Sequence, residues 1–115
     1  MKLFRMTLFS LLFVLIAFPA FSAGRLTYYC STDIPWCELM KKEFEKRTGI
    51  RVAMTRASSG ETLTKIRAEK SNPKGDVWWG GTGDPHLQAA EEGLSQPYTS
   101  PKLKELHDWA ITPHK

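Results

Sequence analysis

The 115 residues carry 16 Lys and Arg against 12 Asp and Glu, a formal net charge of +4 that falls to +2 once Lys2 and Arg5 at the extreme amino end are set aside. The remaining charges alternate in sign along the chain, too weak and dispersed a balance for a nucleic-acid footprint. About ninety residues lie beyond the first segment, enough for one small domain near the size at which a single core becomes marginal.

Residues 1–22 read as a secretory signal peptide. Lys2 and Arg5 form a positive n-region, Met6 to Phe18 is almost wholly apolar, and Pro19-Ala20-Phe21-Ser22 supplies a helix breaker and small residues. Cleavage is expected after Ser22, with Ala20 at the upstream small position. A membrane anchor needs ~20 apolar residues, and this run meets proline first. The absence of cysteine at the cleavage point argues against a lipid anchor. The expected product, residues 23–115, is soluble and periplasmic.

Arg25–Cys30, with Thr27, Tyr28 and Tyr29, predicts a first strand. Asp33 is placed to cap the next helix and Pro35 suits its first turn. Trp36, Leu39, Met40 and Phe44 recur at helical spacing with Lys41, Lys42, Glu45 and Lys46 on the other face, so the apolar stripe is expected to be core. Gly49 is the expected stop. Cys30 and Cys37 lack both the Cys-x-x-Cys of a thiol oxidoreductase and zinc-ligand spacing. In an oxidising compartment a structural disulfide is the leading reading, and two buried thiols the alternative. So short a loop would contribute ~2–3 kcal/mol.

Ile50–Met54 predicts strand two. Ser58 and Glu61 then stand at capping-box spacing ahead of Leu63 and Ile66, and that helix should end by Asn72-Pro73. Val77-Trp78-Trp79 predicts strand three, ending at Gly80-Gly81; Asp84-Pro85 offers a cap and first helical residue, with Leu87, Ala89 and Ala90 inward and Gly93 as terminator. Lys102–Ala110 predicts a short last helix.

Strands alternating with helices across short connections imply βαβ units, a parallel sheet and a ligand crevice beyond the carboxyl ends of the strands. Three loops fall there: Ser31-Thr32, Ser58-Ser59-Gly60 and Gly80-Gly81-Thr82. Hydroxyls, glycine amides and three helix starts make an anion site chemically sensible, although each hydroxyl also suits the plain task of capping its own helix. The glycines match neither a phosphate loop nor a dinucleotide fingerprint. His86, His107 and His114 have no metal-ligand spacing and no partner nucleophile. No catalytic constellation, metal site or cofactor is expected.

Leu26-Thr-Tyr-Tyr-Cys-Ser31, Phe44-Glu-Lys-Arg-Thr-Gly-Ile50, Ser58-Ser-Gly-Glu-Thr-Leu63 and, most distinctively, Gly75-Asp-Val-Trp-Trp-Gly-Gly-Thr-Gly-Asp-Pro-His-Leu-Gln-Ala-Ala90 resemble the periplasmic solute-binding proteins of bacterial ABC importers, in the ferric-iron-binding branch. The resemblance implies an α/β type II binding fold, with the first strand between the second and third. It covers only an incomplete N-terminal lobe, residues 23–115. The implied partners are a small anionic solute and an inner-membrane ABC permease. Iron-binding members use a histidine or carboxylate from this lobe; Ser31-Thr32 and Gly80-Gly81-Thr82 suit a phosphorylated organic solute better than bare iron. Weak or absent binding is expected of one wall alone, because a small-molecule pocket typically encloses ~70–90% of its ligand. A non-functional exported fragment and, last, a small thiol redox protein are the competing readings.

Overall fold

The computed structural model describes residues 24–111. The expected signal peptide, residues 1–22, lies outside the described residues. The elements in chain order are β1 (Arg25–Cys30), α1 (Ile34–Thr48), β2 (Arg51–Arg56), α2 (Ser59–Ala68), β3 (Val77–Trp79) and α3 (Gly83–Glu91), then a 3-10 turn at Leu103–Glu105 and α4 (Asp108–Ile111).

The three strands form one parallel sheet in the order β2-β1-β3. Strand β1 is therefore central, as the resemblance implies, and the chain reverses direction across the sheet after β2. That reversal places successive crossovers on opposite faces. Register assigns the faces: Leu26, Tyr28 and Cys30 pair with Val52, Met54 and Arg56, and Tyr28 and Cys30 pair with Val77 and Trp79. Side chains alternate along a strand, so these residues share the α1 face, while Tyr29 and Trp78 point to the other, under α2 and α3. The α1 face holds the apolar core of Tyr28, Cys30, Cys37 and Val52, flanked by Leu26, Met54 and Trp79.

The bridge between Cys30 and Cys37 is formed, and both residues are 0% exposed. It ties the end of β1 to the first turns of α1. On the opposite face the Tyr29 hydroxyl donates to both Glu69 carboxylate oxygens at 3.1 and 2.8 Å, and Lys65 Nζ lies 3.0 Å from Glu69 Oε1. These bonds dock the end of α2 against β1.

Several expectations are corrected. The stripe of α1 is not core: Trp36, Leu39 and Met40 are 64%, 58% and 46% exposed, while Lys41 and Glu45, expected outside, are half-buried in line with Cys37. The disulfide and a bond from Val52 N–H to Glu45 Oε1 (2.7 Å) set that rotation. Asp33 takes the N-cap position without a side-chain bond; its carbonyl accepts from Trp36 and Cys37 N–H. Strand β2 runs two residues beyond Met54, because parallel pairing with β1 continues to Arg56. Helix α3 starts at Gly83 with Thr82 as N-cap, so Asp84 and Pro85 fall inside its first turn, and only Ala89 is buried whereas Leu87 and Ala90 are exposed. Lys102–Ala110 is broken at Leu106, whose backbone is extended, into a 3-10 turn and α4. Gly49 does stop α1, its N–H donating to the Glu45 carbonyl at 2.8 Å.

Candidate functional site

Parallel strands deliver their following loops to one end of the sheet, and here those loops touch. Gly80 and Gly81 turn the chain out of β3 with φ of 80° and 89°, a region that side-chain-bearing residues rarely adopt. Their lack of side chains permits the contact. A Cβ on Gly80 would stand 3.0 Å from Thr32 Cβ, and one on Gly81 would stand 2.1 Å from Ser59 Oγ and 2.9 Å from Ser31 Cβ. The loops after β1, β2 and β3 thus meet at Gly81, where α1, α2 and α3 begin.

Hydrogen bonding divides the eight expected ligand-binding residues into two groups. Ser31 is buried, accepts from Trp78 Nε1 at 2.9 Å and shares a hydrogen with buried Thr62 Oγ1 at 3.0 Å. Ser58 makes a complete capping box: its backbone N–H and hydroxyl donate to Glu61 Oε2 at 2.9 and 2.7 Å, and Glu61 N–H donates to Ser58 Oγ at 3.3 Å. Ser59 Oγ accepts from Thr82 N–H at 3.1 Å, stitching the second loop to the third. These three hydroxyls are hydrogen-bonded within the loops, and Ser59, which accepts, keeps its own hydrogen free to donate. The hydroxyls of Thr32 and Thr82 make no hydrogen bond to the described residues, and Gly60 stands in open space on the first turn of α2.

Arg56, overlooked in sequence, and Trp78 and His86, not counted among the expected ligand-binding residues, complete the arrangement. Arg56, last in β2, donates from Nε to the Thr32 carbonyl at 3.1 Å, which places a guanidinium beside the first and second loops. Trp78 stacks on His86 with ring centroids 3.8 Å apart, and His86 Nε2 lies 2.9 Å from the Gly80 carbonyl, bracing the glycine turn from beneath. A basic residue closing a strand, two residues before a capping serine, was the available signal for Arg56. The Ser58 hydroxyl and N–H, with the Arg56 charge behind them, hold the Glu61 carboxyl below the usual carboxylate range. Asp33 and Asp84 are the other acids near these loops, and both are exposed.

The positive ends of α1, α2 and α3 add fixed partial charge to the same region. Chemically the arrangement offers neutral hydroxyl and amide donors plus one guanidinium. Among the described residues no three His, Cys, Asp or Glu side chains stand close enough to hold a metal ion. A depression of about 520 Å³ at the opposite end of the sheet, around Arg25, Ile50 and Arg51, lies away from the converging loops.

The profile of the family described as bacterial extracellular solute-binding protein matches residues 26–108. An uncharacterised protein of Haemophilus influenzae is 46% identical over 83 residues, which are 72% of this chain and 24% of that one. Among solved structures, the periplasmic binding protein AfuA of Actinobacillus pleuropneumoniae, with exogenous fructose-6-phosphate bound, superposes at TM-score 0.73 with 45% identity, over 76% of this chain and 27% of its own. The periplasmic binding protein P5PA superposes at TM-score 0.72 with 41% identity, over 75% and 27%. The chain therefore spans about a quarter of the length of these relatives. With the three-stranded parallel sheet and its loop crown in place, these matches show that the chain belongs to the bacterial extracellular solute-binding proteins.

Proposed function

We propose that the loop crown is one wall of a cleft for a small anionic solute, a phosphorylated organic molecule before bare iron, captured in the periplasm for an ABC permease in the inner membrane. The observation that carries this reading is the convergence of three loops and three helix starts on Gly81, with Arg56 beside them. Thr32, Thr82, Gly60, Gly80 and Gly81 supply hydroxyl and amide donors to the anion, and Arg56 supplies charge. Ser31, Ser58 and Ser59 hold those donors in place. The solute is bound and released, with no bond made or broken. AfuA supports the phosphorylated class, since at 45% identity it holds fructose-6-phosphate. The thiol redox reading loses ground because both sulfurs are wholly buried and offer nothing to an attacking thiolate.

One wall leaves most of a ligand in water, so residues 23–115 by themselves should bind with a Kd of about 1 mM or weaker. Phosphorus NMR of fructose-6-phosphate titrated with the purified chain reads such binding directly. Line broadening of the fructose-6-phosphate resonance that is reversed by an excess of a different phosphate ester, such as glycerol phosphate, and not by fructose, is the expected result. Broadening reversed equally by fructose, or tight ferric binding without response to phosphate esters, would overturn the reading.

A further inference from the structure

The loop after β3 meets two demands that conflict. Glycine is required at Gly80 and Gly81, where φ is 80° and 89° and a Cβ would strike Thr32 or Ser59. Yet two adjacent glycines leave the peptide between them nearly free to turn over, because neither carries a side chain that resists rotation on its side of the bond. A group outside the pair must set which way that peptide faces.

His86, in the first turn of α3, reaches back to it. Its Nε2 lies 2.9 Å from the Gly80 carbonyl, and a carbonyl oxygen only accepts, so Nε2 carries the hydrogen. The imidazole is itself held, stacked on Trp78 with ring centroids 3.8 Å apart and planes 27° from parallel. Trp78 is held in turn, since its Nε1–H donates to Ser31 Oγ at 2.9 Å and Ser31 Oγ lies 3.0 Å from Thr62 Oγ1. Ser31 and Thr62 are both buried, one at the end of β1 and the other within α2. A line of contacts thus runs from α2 past β1 and β3 to α3 and ends on one backbone carbonyl.

The geometry of the peptide makes that carbonyl matter. The Gly80–Gly81 bond is trans, so the Gly80 C=O and the Gly81 N–H lie in one plane and point in opposite directions. Holding the carbonyl against His86 turns the Gly81 N–H away from the imidazole. Gly81 is exposed and its N–H makes no hydrogen bond to the described residues, whereas the next amide, that of Thr82, is already given to Ser59 Oγ. A flipped peptide would offer a carbonyl oxygen where an anion needs a donor.

We propose that His86 is a positioning residue of the solute site: its Nε2–H pins the Gly80 carbonyl and so keeps the Gly81 N–H presented to an oxyanion. This assignment rests on the reading of the loop crown as an anion site. It gives His86 a task in which no proton is transferred and no metal is held.

The test compares His86→Phe, which keeps an aromatic ring against Trp78 but has no donor, with His86→Gln, whose side-chain amide restores a donor at similar reach. Parent and variants are isotopically labelled, purified from the native host and titrated with fructose-6-phosphate while amide shifts are followed residue by residue. His86→Phe should lose the shift at Gly81, keep those at Thr32 and Gly60, and bind about tenfold more weakly, the scale of one hydrogen bond to a charged group. His86→Gln should recover the Gly81 shift and most of the affinity. If His86→Phe fails to fold, His86→Leu, also without a donor, takes its place. With a parent that responds, the role of His86 alone is overturned by an unchanged Gly81 shift in the donorless variant, by an equal loss at Thr32, Gly60 and Gly81, or by no recovery in His86→Gln. A parent whose crown amides ignore fructose-6-phosphate would overturn the reading of the site, and the role of His86 with it.

Discussion

Around Gly81 the loops after three strands are packed so closely that a single added methyl group has no room; one helix away, Trp36, Leu39 and Met40 stand open to water. The two regions share the Cys30–Cys37 bridge, one sulfur at the end of a crown strand and the other on the open helix. The Ser31, Ser58 and Ser59 hydroxyls of the crown are hydrogen-bonded within it, so the packing of its loops is set by contacts among the described residues. Among the described residues, nothing covers the apolar flank of α1 at Trp36, Leu39 and Met40. Tight packing and hydrogen bonding mark the end of the sheet where ligands bind in such folds, whereas the exposed apolar surface lies along its side.

The largest expected effect comes from breaking the crown at its tightest point. Gly81→Ala forces a side chain into a left-handed backbone and against Ser59 Oγ, and should destabilise the fold by about 3 kcal/mol. Urea unfolding monitored by tryptophan fluorescence measures it. Next is the double variant Cys30→Ala and Cys37→Ala, which removes a constraint spanning seven residues and should cost about 2–3 kcal/mol. It also frees α1 to roll, so Trp36 emission should shift to the blue if the stripe turns inward. An unchanged emission would mean that Glu45 and β2 hold the phase without the bridge.

A smaller effect tests the face that carries α2. Burial first, and then the hydrogen bond and charge of Glu69, push the Tyr29 hydroxyl from 10.0 up to about 12. A phenol raised in this way contributes stability that is fully present below pH 10 and is lost as pH rises toward 12. Burial alone would raise the Glu69 carboxyl, but its hydrogen bonds to Lys65 and Tyr29 outweigh burial and leave it lowered. Its contribution is therefore present above the ordinary carboxylate pKa and lost as pH falls through the lowered value. Tyr29→Phe should cost about 1.5 kcal/mol at neutral pH and reduce the alkaline loss between pH 10 and 12, leaving the share of Tyr28, whose phenol burial also raises. Thermal melts across pH show both. The smallest effect belongs to the flank: Leu39→Ser, at a residue 58% exposed, should change stability by less than about 0.5 kcal/mol.

Element order, the parallel sheet and the meeting of the three loops were legible because they follow from local signals. Two apolar strands ending in glycine or hydroxyl residues, a capping box at Ser58 and Glu61, and a Gly49 stop each act within a few residues. The phase of α1 was not legible. Periodicity reveals an apolar stripe at Trp36, Met40 and Phe44 but carries no information about what covers it, and among the described residues the stripe stays exposed. Asp33 misled for a related reason: the N-cap preference is statistical, and here the backbone carbonyl alone serves the first turn. At the crown, residue types pointed to three loops that do meet at Gly81, but only geometry separates the serines hydrogen-bonded between loops from the threonines whose hydroxyls are not. Arg56 escaped notice because its role depends on reaching a carbonyl 24 residues earlier in the chain.

The central claim is that the crown around Gly81 receives an anionic solute. Amide chemical-shift mapping of isotopically labelled residues 23–115, titrated with fructose-6-phosphate and in parallel with fructose, tests it most directly because it locates even weak binding. The account predicts shifts at Thr32, Gly60, Gly80, Gly81 and Thr82 that appear with the phosphate ester, fail to appear with fructose, and shrink in Arg56→Gln. Shifts confined to the amino end of the sheet around Arg25 and Arg51, or identical responses to both sugars, would contradict it.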